Sequence, residues 1–257
     1  MTASLQLILA AAPAELTAAR AYGLTLAHAA YRVGGGPHLF RADLPVPLRG
    51  GLLYLDDSGC DGRGTPDALC QEVVRECAAR GFGGVICAFD RALPLLAAVV
   101  RQLGPMLARQ NRSFYVSEPY GQHTATGRVL IPTALSGGSL RQRLSEAVER
   151  YGADRVALAV ERTAADFFLP SPSGQGRPLT REALSAKLAE LSPSVFFSDE
   201  LCARYFTYMN RQSGAHFVLF DDAGSIRKKL RLAEALGIRR ALLPYAGLSD
   251  LLDDILH

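Results

Sequence analysis

The stretch GFGGVICAFD, Gly81 to Asp90, reads as a buried strand that ends abruptly on a single carboxylate. Glycines open it, an apolar run carries it, and the residues that follow, RALPLLAAVV, already have a helical pattern. A short continuous apolar run leading straight into a helix marks a strand covered on both faces, as in the βα units of a parallel sheet. Arg91 is the only neighbour in sequence able to neutralise Asp90.

The same rhythm recurs along the chain. Apolar runs at 5–11, 24–31, 51–56, 84–89, 113–117, 128–132, 156–160 and 240–243 are expected strands. Amphipathic patterns at 66–80, 93–110, 139–151 and 225–236 are expected helices, the last capped by Ser225. Eight strands alternating with helices in 257 residues predict a closed (β/α)8 TIM barrel as a single domain, 1–257. An open nucleotide-binding sheet would need a glycine-rich phosphate loop. Gly34-Gly35-Gly36 lacks that spacing and leads into Pro37 rather than a helix.

Composition narrows the function classes. The chain is 49% hydrophobic and 21% charged, with 28 basic against 25 acidic side chains and a net charge of +3. That balance excludes the clustered basic excess of a nucleic-acid binder. Arg141, Arg143, Arg150 and the run Arg227, Lys228, Lys229, Arg231 read as solvated helix faces. Five cysteines form no CxxC pair, and their odd number fits buried, reduced thiols. MTASLQLILAAAPAEL carries no Lys or Arg ahead of its short apolar run, so it reads as the first strand rather than a leader. No run approaches the roughly 18 apolar residues of a membrane span. A cytoplasmic protein with no cofactor and no metal is expected.

One region breaks the rhythm. Residues 163–224 hold a Pro/Gly/Ser-rich loop (LPSPSGQGRP), a short helix at 179–191, and three short strands, VFFSD, YFTYM and HFVLFD. They predict an α+β insertion beside the barrel's active rim. Its Tyr205, Phe206, Tyr208 and Phe217 form either a carbohydrate-facing wall or the insertion's own core.

The run ARYFTYMNRQSGAHFVLFDDAGSIRKKLRLAEALGIRRALL resembles the end of glycoside hydrolase family 18 barrels, especially their spore-associated bacterial branch. VALAVERTAADFFLPSPSGQGRPLT is similar to the seventh strand and following loop of that branch. The resemblance covers Val156 to Leu248 and implies a chitinase-like barrel. It further implies a glycan partner, N-acetylglucosamine-containing or of cell-wall type such as a peptidoglycan fragment, and spore association. The family's signature strand, D-x-x-D-x-D-x-E, lays its four acids on Gly83, Ile86, Ala88 and Asp90. Asp90 thus stands at the slot of the glutamic acid that protonates the leaving oxygen. Ala88 stands where an aspartate would hold the acetamido group whose carbonyl attacks the anomeric carbon. The shorter Asp90 side chain would place its oxygens roughly 1 Å short, a misplacement able to cost on the order of 10²-fold. The family's tryptophan floor is absent, since the chain has no tryptophan; Pro244 and then Tyr245 stand there.

Other polar residues fall at expected strand ends: Asp56 and Asp57, Glu118 with Tyr120 and His123, and Glu161 with Arg162. Asp90 with Glu118 is the acid–base pair to test, with Asp56 as the other partner. Asp56, Asp57, Tyr120, Glu161 and Tyr245 are the expected substrate contacts. The alternatives are an arginine-paired Asp56 or Asp57, an ion pair between Glu161 and Arg162, and a solvated His123. His28 reads as a satisfied core histidine. Ser58 lies in no nucleophile elbow. Three functions follow: a glycan-binding barrel without ordinary chitinase catalysis, an active glycosidase with relocated acids, and a non-catalytic scaffold.

Overall fold

The computed structural model describes residues 5–43, 48–170, 174–210 and 214–257. In chain order the first half contains β1 (Gln6–Ala11), α1 (Leu16–Arg20), β2 (Thr25–Val33), β3 (Leu39–Arg41), β4 (Leu52–Asp56), α2 (Asp67–Arg80), β5 (Gly84–Ala88) and α3 (Pro94–Ala108). Then follow β6 (Ser113–Ser117), β7 (Arg128–Pro132), α4 (Leu140–Tyr151), β8 (Val156–Ala159), β9 (Ala164–Leu169), β10 (Arg177–Pro178) and α5 (Arg181–Leu191). The chain ends with β11 (Phe196–Ser198), β12 (Ala203–Asn210), β13 (Gly214–Phe220), α6 (Ala223–Ala235), β14 (Arg240–Pro244), α7 (Tyr245–Leu248) and α8 (Leu252–Leu256).

Eight strands are parallel and closed: β1, β2, β4, β5, β6, β7, β8 and β14, with β1 bonded to both β14 and β2. Each of the eight barrel strands expected from the sequence is present and forms one stave of this (β/α)8 barrel. Strand alternation divides the apolar residues into two cores. Ile8, Leu52, Ile86, Tyr115, Leu130 and Leu242 fill the barrel interior. Their neighbours, such as Leu53, Val85, Cys87 and Val129, pack outward against the helices. All five cysteines are free and buried, and burial pushes the Cys70 and Cys77 thiols up to about 12.

The segment after β8 is more ordered than its sequence suggests. What reads as a loop contributes β9, which pairs with β13 to build a five-stranded antiparallel sheet, β10-β9-β13-β12-β11. Residues 171–173 of the Pro/Gly/Ser-rich stretch lie outside the described residues. The aromatic residues stay within this sheet. Phe206 and Tyr208 face α5, while Tyr205 stacks on Phe217 at 5.2 Å on the opposite face.

Two expectations about α6 are corrected. Its cap is Asp222, whose Oδ1 accepts the Ser225 amide at 2.8 Å while Ser225 Oγ accepts the Asp222 amide at 3.0 Å, a reciprocal capping box. Lys229, far from solvated, is buried and donates to buried Asp221 at 2.7 Å. It falls on the same helix face as Ile226 and Ala233, each about one turn away. Asp221 also accepts Ser225 Oγ at 2.6 Å and the Thr163 amide at 2.8 Å. One carboxylate therefore joins the start of the insertion, its last strand and α6.

Removing one member of such a pair leaves an uncompensated buried charge, so Lys229→Ala should cost about 3–5 kcal/mol in denaturant unfolding. Asp221→Asn/Lys229→Met should recover part of that loss. A single variant as stable as the parent would show that the pair carries no weight. Deleting residues 1–12 should open the barrel between β14 and β2 and give an insoluble or molten chain; an unchanged cooperative melt would contradict the closure through β1.

Candidate active-site cleft at the barrel mouth

Parallel closure brings the C-terminal ends of all eight strands to one rim. Alternation on β5 points Ile86 and Ala88 inward, and Asp90 continues that register one step above the barrel. There it lines a cleft of about 320 Å³ together with Tyr54, Ala88, Glu118, Leu130 and Glu161. The floor is aliphatic, formed by Leu130, Ala159 and Leu242.

Arg91 does not neutralise Asp90. It turns to Asp57, whose Oδ2 accepts the Arg91 Nε at 3.2 Å and its amide at 3.1 Å. The other oxygen of Asp57 accepts the Asp90 amide at 3.3 Å. Asp57 is buried and serves the β5–α3 loop rather than the cleft, which is the arginine-paired alternative. Tyr120 holds the same loop from the other side. Its hydroxyl donates to the Arg91 carbonyl and accepts the Leu93 amide at 3.2 Å, and its buried ring meets Phe89 edge-on. These two residues position the backbone that carries Asp90, and neither lines the cleft. Asp90 itself is exposed and has no ion-pair partner among the described residues.

Glu118 reaches the cleft, but Arg143 on α4 grips it at 2.5 Å. Arg143 thus belongs to the mouth rather than to a solvated helix face. Glu161 does not pair with Arg162, which bonds Asp250 at 2.8 Å instead. Although its side chain reaches solvent, the cleft walls desolvate the Glu161 carboxyl and hold it above the usual carboxylate range. Lys229 and Arg143 oppose that rise, and Asp90 adds to it. Tyr54 was not singled out in the sequence. Burial, reinforced by the Asp90 and Asp56 carboxylates, pushes its phenol up to about 12. Its place on the inward face of an expected strand was the available signal.

Three expected residues lie elsewhere. Asp56 lines a separate groove against β2 and β3. Tyr245 opens α7 and packs edge-on against Tyr22, 6.3 Å between centroids, outside the cleft lining. His123 meets Arg101 at 3.2 Å. His28 is buried as a core residue, with Nε2 3.0 Å from the Gly50 carbonyl. Its Nδ1 has no partner among the described residues, and desolvation lowers its pKa. Among the described residues no group of three or more His, Cys, Asp or Glu side chains could hold a metal ion, and no helix is long and apolar enough to cross a membrane.

No family model and no curated protein matches the sequence. Solved structures do. The spore cortex-lytic enzyme SleL of Bacillus megaterium QM B1551 superposes with a TM-score of 0.66 at 16% identity, over 94% of this chain and 70% of that one. A chitinase from Chromobacterium violaceum ATCC 12472 gives 0.67 at 15% identity over 95% of both chains. The class V chitinase of Nicotiana tobaccum gives 0.65 at 11% identity over 94% of both. The fold is that of chitinase-like barrels. At the mouth of this chitinase-like fold, the acids that line the cleft are Asp90, Glu118 and Glu161.

The raised carboxyl of Glu161 has a signed consequence. The folded state holds that proton more tightly than the unfolded chain, so stability is lost as pH rises through the folded pKa. Glu161→Gln should therefore melt above the parent at neutral pH, with the gap closing as pH falls towards about 4.5, the ordinary glutamate value. A parent that melts higher at neutral pH would contradict the desolvated placement.

Proposed function

We propose that this barrel binds a glycan at its mouth without ordinary chitinase catalysis. The observation that carries the reading is the pairing of Asp90 with Ala88 on one inward strand face above an aliphatic floor. The cleft is of ligand-pocket size, apolar below and acidic at its rim, which suits a sugar ring with hydroxyls turned to carboxylates. Catalysis by the acetamido route needs a group that fixes and polarises the attacking carbonyl, and a methyl at position 88 does neither. Such a group acts mainly in the transition state, so its loss removes rate before it removes binding. The likeness to a spore cortex-lytic enzyme favours a cell-wall-type glycan and spore association.

A second reading has one observation in its favour. Glu161 shares the cleft with Asp90 and holds its proton more tightly than usual, as a general acid does. Asp56, in another groove, is the weaker partner for such chemistry, and Glu118 is tied to Arg143.

The test is direct. The parent should bind N-acetylglucosamine oligomers by calorimetry yet release no product from them. Ala88→Asp/Asp90→Glu should restore weak hydrolysis at most, with some loss of stability from a new carboxylate beside apolar residues. Turnover by the parent that disappears in Asp90→Asn and Glu161→Gln would favour the glycosidase. Failure to bind any oligomer would leave the scaffold.

A further inference from the structure

A second groove of about 340 Å³ lies on the same rim, between the β2–β3 hairpin and the end of β4. Phe40 and Arg32 line it from the hairpin side, Asp56 and Ser58 from the barrel side. Phe40 is 47% exposed, yet it is held in place. Its ring occupies the space above Gly34, where a Cβ would stand 2.0 Å from the nearest ring carbon. The Gly34 amide in turn donates to the His38 carbonyl at 2.9 Å and closes the hairpin. Gly34 is thus required by the ring, and no phosphate loop is involved.

The polar groups of the groove have capacity left. Asp56 Oδ1 accepts the Ser58 amide at 2.8 Å, and its other oxygen has no protein donor among the described residues. The side chain of Arg32, opposite Asp56 in the β2–β4 register, makes no hydrogen bond or ion pair among the described residues. Arg41 is engaged with Glu76 at 3.1 Å. An ordered, half-exposed ring flanked by a free acceptor and a free donor suits a ligand with one apolar face and hydroxyls at its edge, which describes a sugar ring.

The groove neighbours the mouth cleft along β4. Tyr54 lines the cleft, and Asp56 follows it on the same face of β4, two residues on. Tyr54 thus carries the cleft lining to within two residues of the groove along one strand face.

We propose that this groove is a second saccharide position, in which Phe40 carries the apolar face of a sugar ring and Asp56 and Arg32 take its hydroxyls. The inference rests on the glycan reading of the mouth and adds a direction: the bound chain runs from Asp90 over Tyr54 towards the hairpin. It follows that affinity rises with chain length.

The test compares N-acetylglucosamine dimer and hexamer by calorimetry. The parent should bind the hexamer about three- to tenfold more tightly than the dimer, the range one aromatic contact supplies. Phe40→Ala should bring the ratio of the two affinities close to one. Gly34→Ala, which drives the ring from its place, should do the same. Phe40 is exposed, so its truncation should leave the melt intact even if the glycine variant folds poorly. A length dependence that survives Phe40→Ala, or a parent with none, would overturn the groove while the mouth reading stands. Failure of both oligomers to bind would overturn the two together.

Discussion

The barrel depends on one closure: β1 bonds in parallel to both β14 and β2, so the first and last strands of the sheet become neighbours. Parallel order all round sends every C-terminal strand end to one rim. Residues as distant in sequence as Tyr54, Asp90, Glu118, Glu161 and Leu242 then line a single cleft. Alternation adds the second half of the constraint. On β4 the inward register runs Leu52, Tyr54, Asp56; on β5 it runs Ile86, Ala88, Asp90. The acid that ends an apolar strand is the first residue of that register to clear the packed interior. It can be charged because it has reached solvent, not because a neighbour neutralises it.

Charge in the upper half of the molecule is distributed on the same logic. Carboxylates that leave the inward register become structural. Asp57, one residue from Asp56, points the other way and organises the loop that carries Asp90. Asp221 is buried outright, and the cost of burying it is offset only because Lys229, Ser225 and the Thr163 amide meet it together. Its three links hold the insertion's first and last residues on α6, so the second sheet is anchored at its base whatever its far end does. Lys229 also helps to restrain the rise of the Glu161 carboxyl, which couples this anchor to the cleft.

The barrel was legible because a strand covered on both faces leaves a one-dimensional trace, an apolar run, and all eight staves had one. β9 was not, because AADFFL carries an acid inside and a proline just after, and only pairing with β13 makes it a strand. Lys229 was misread as surface because charge was taken before position; Ile226 and Ala233, three before and four after it, already placed it on the buried face. At the site, sequence order gave the acids at strand ends but not their partners. Asp57 against Arg91, and Glu118 against Arg143, are contacts between different βα units that no local spacing encodes. Phe40 escaped for a related reason. Its glycine triplet shows in one dimension only that it lacks phosphate-loop spacing; in three, Gly34 is the seat of an aromatic ring.

Binding and turnover make different demands on such a cleft. Walls, an aliphatic floor and rim carboxylates act on a sugar in its ground state, and all of these stand in place at the mouth. In the chitinase resemblance, the group that would distinguish transition state from ground state is a carboxylate two residues before the acid; at that position this chain has the methyl of Ala88. Interactions equal in both states lower the free energy of the complex without lowering the barrier beyond it. On the proposed glycan reading, this geometry suits a site that retains its ligand rather than one that converts it.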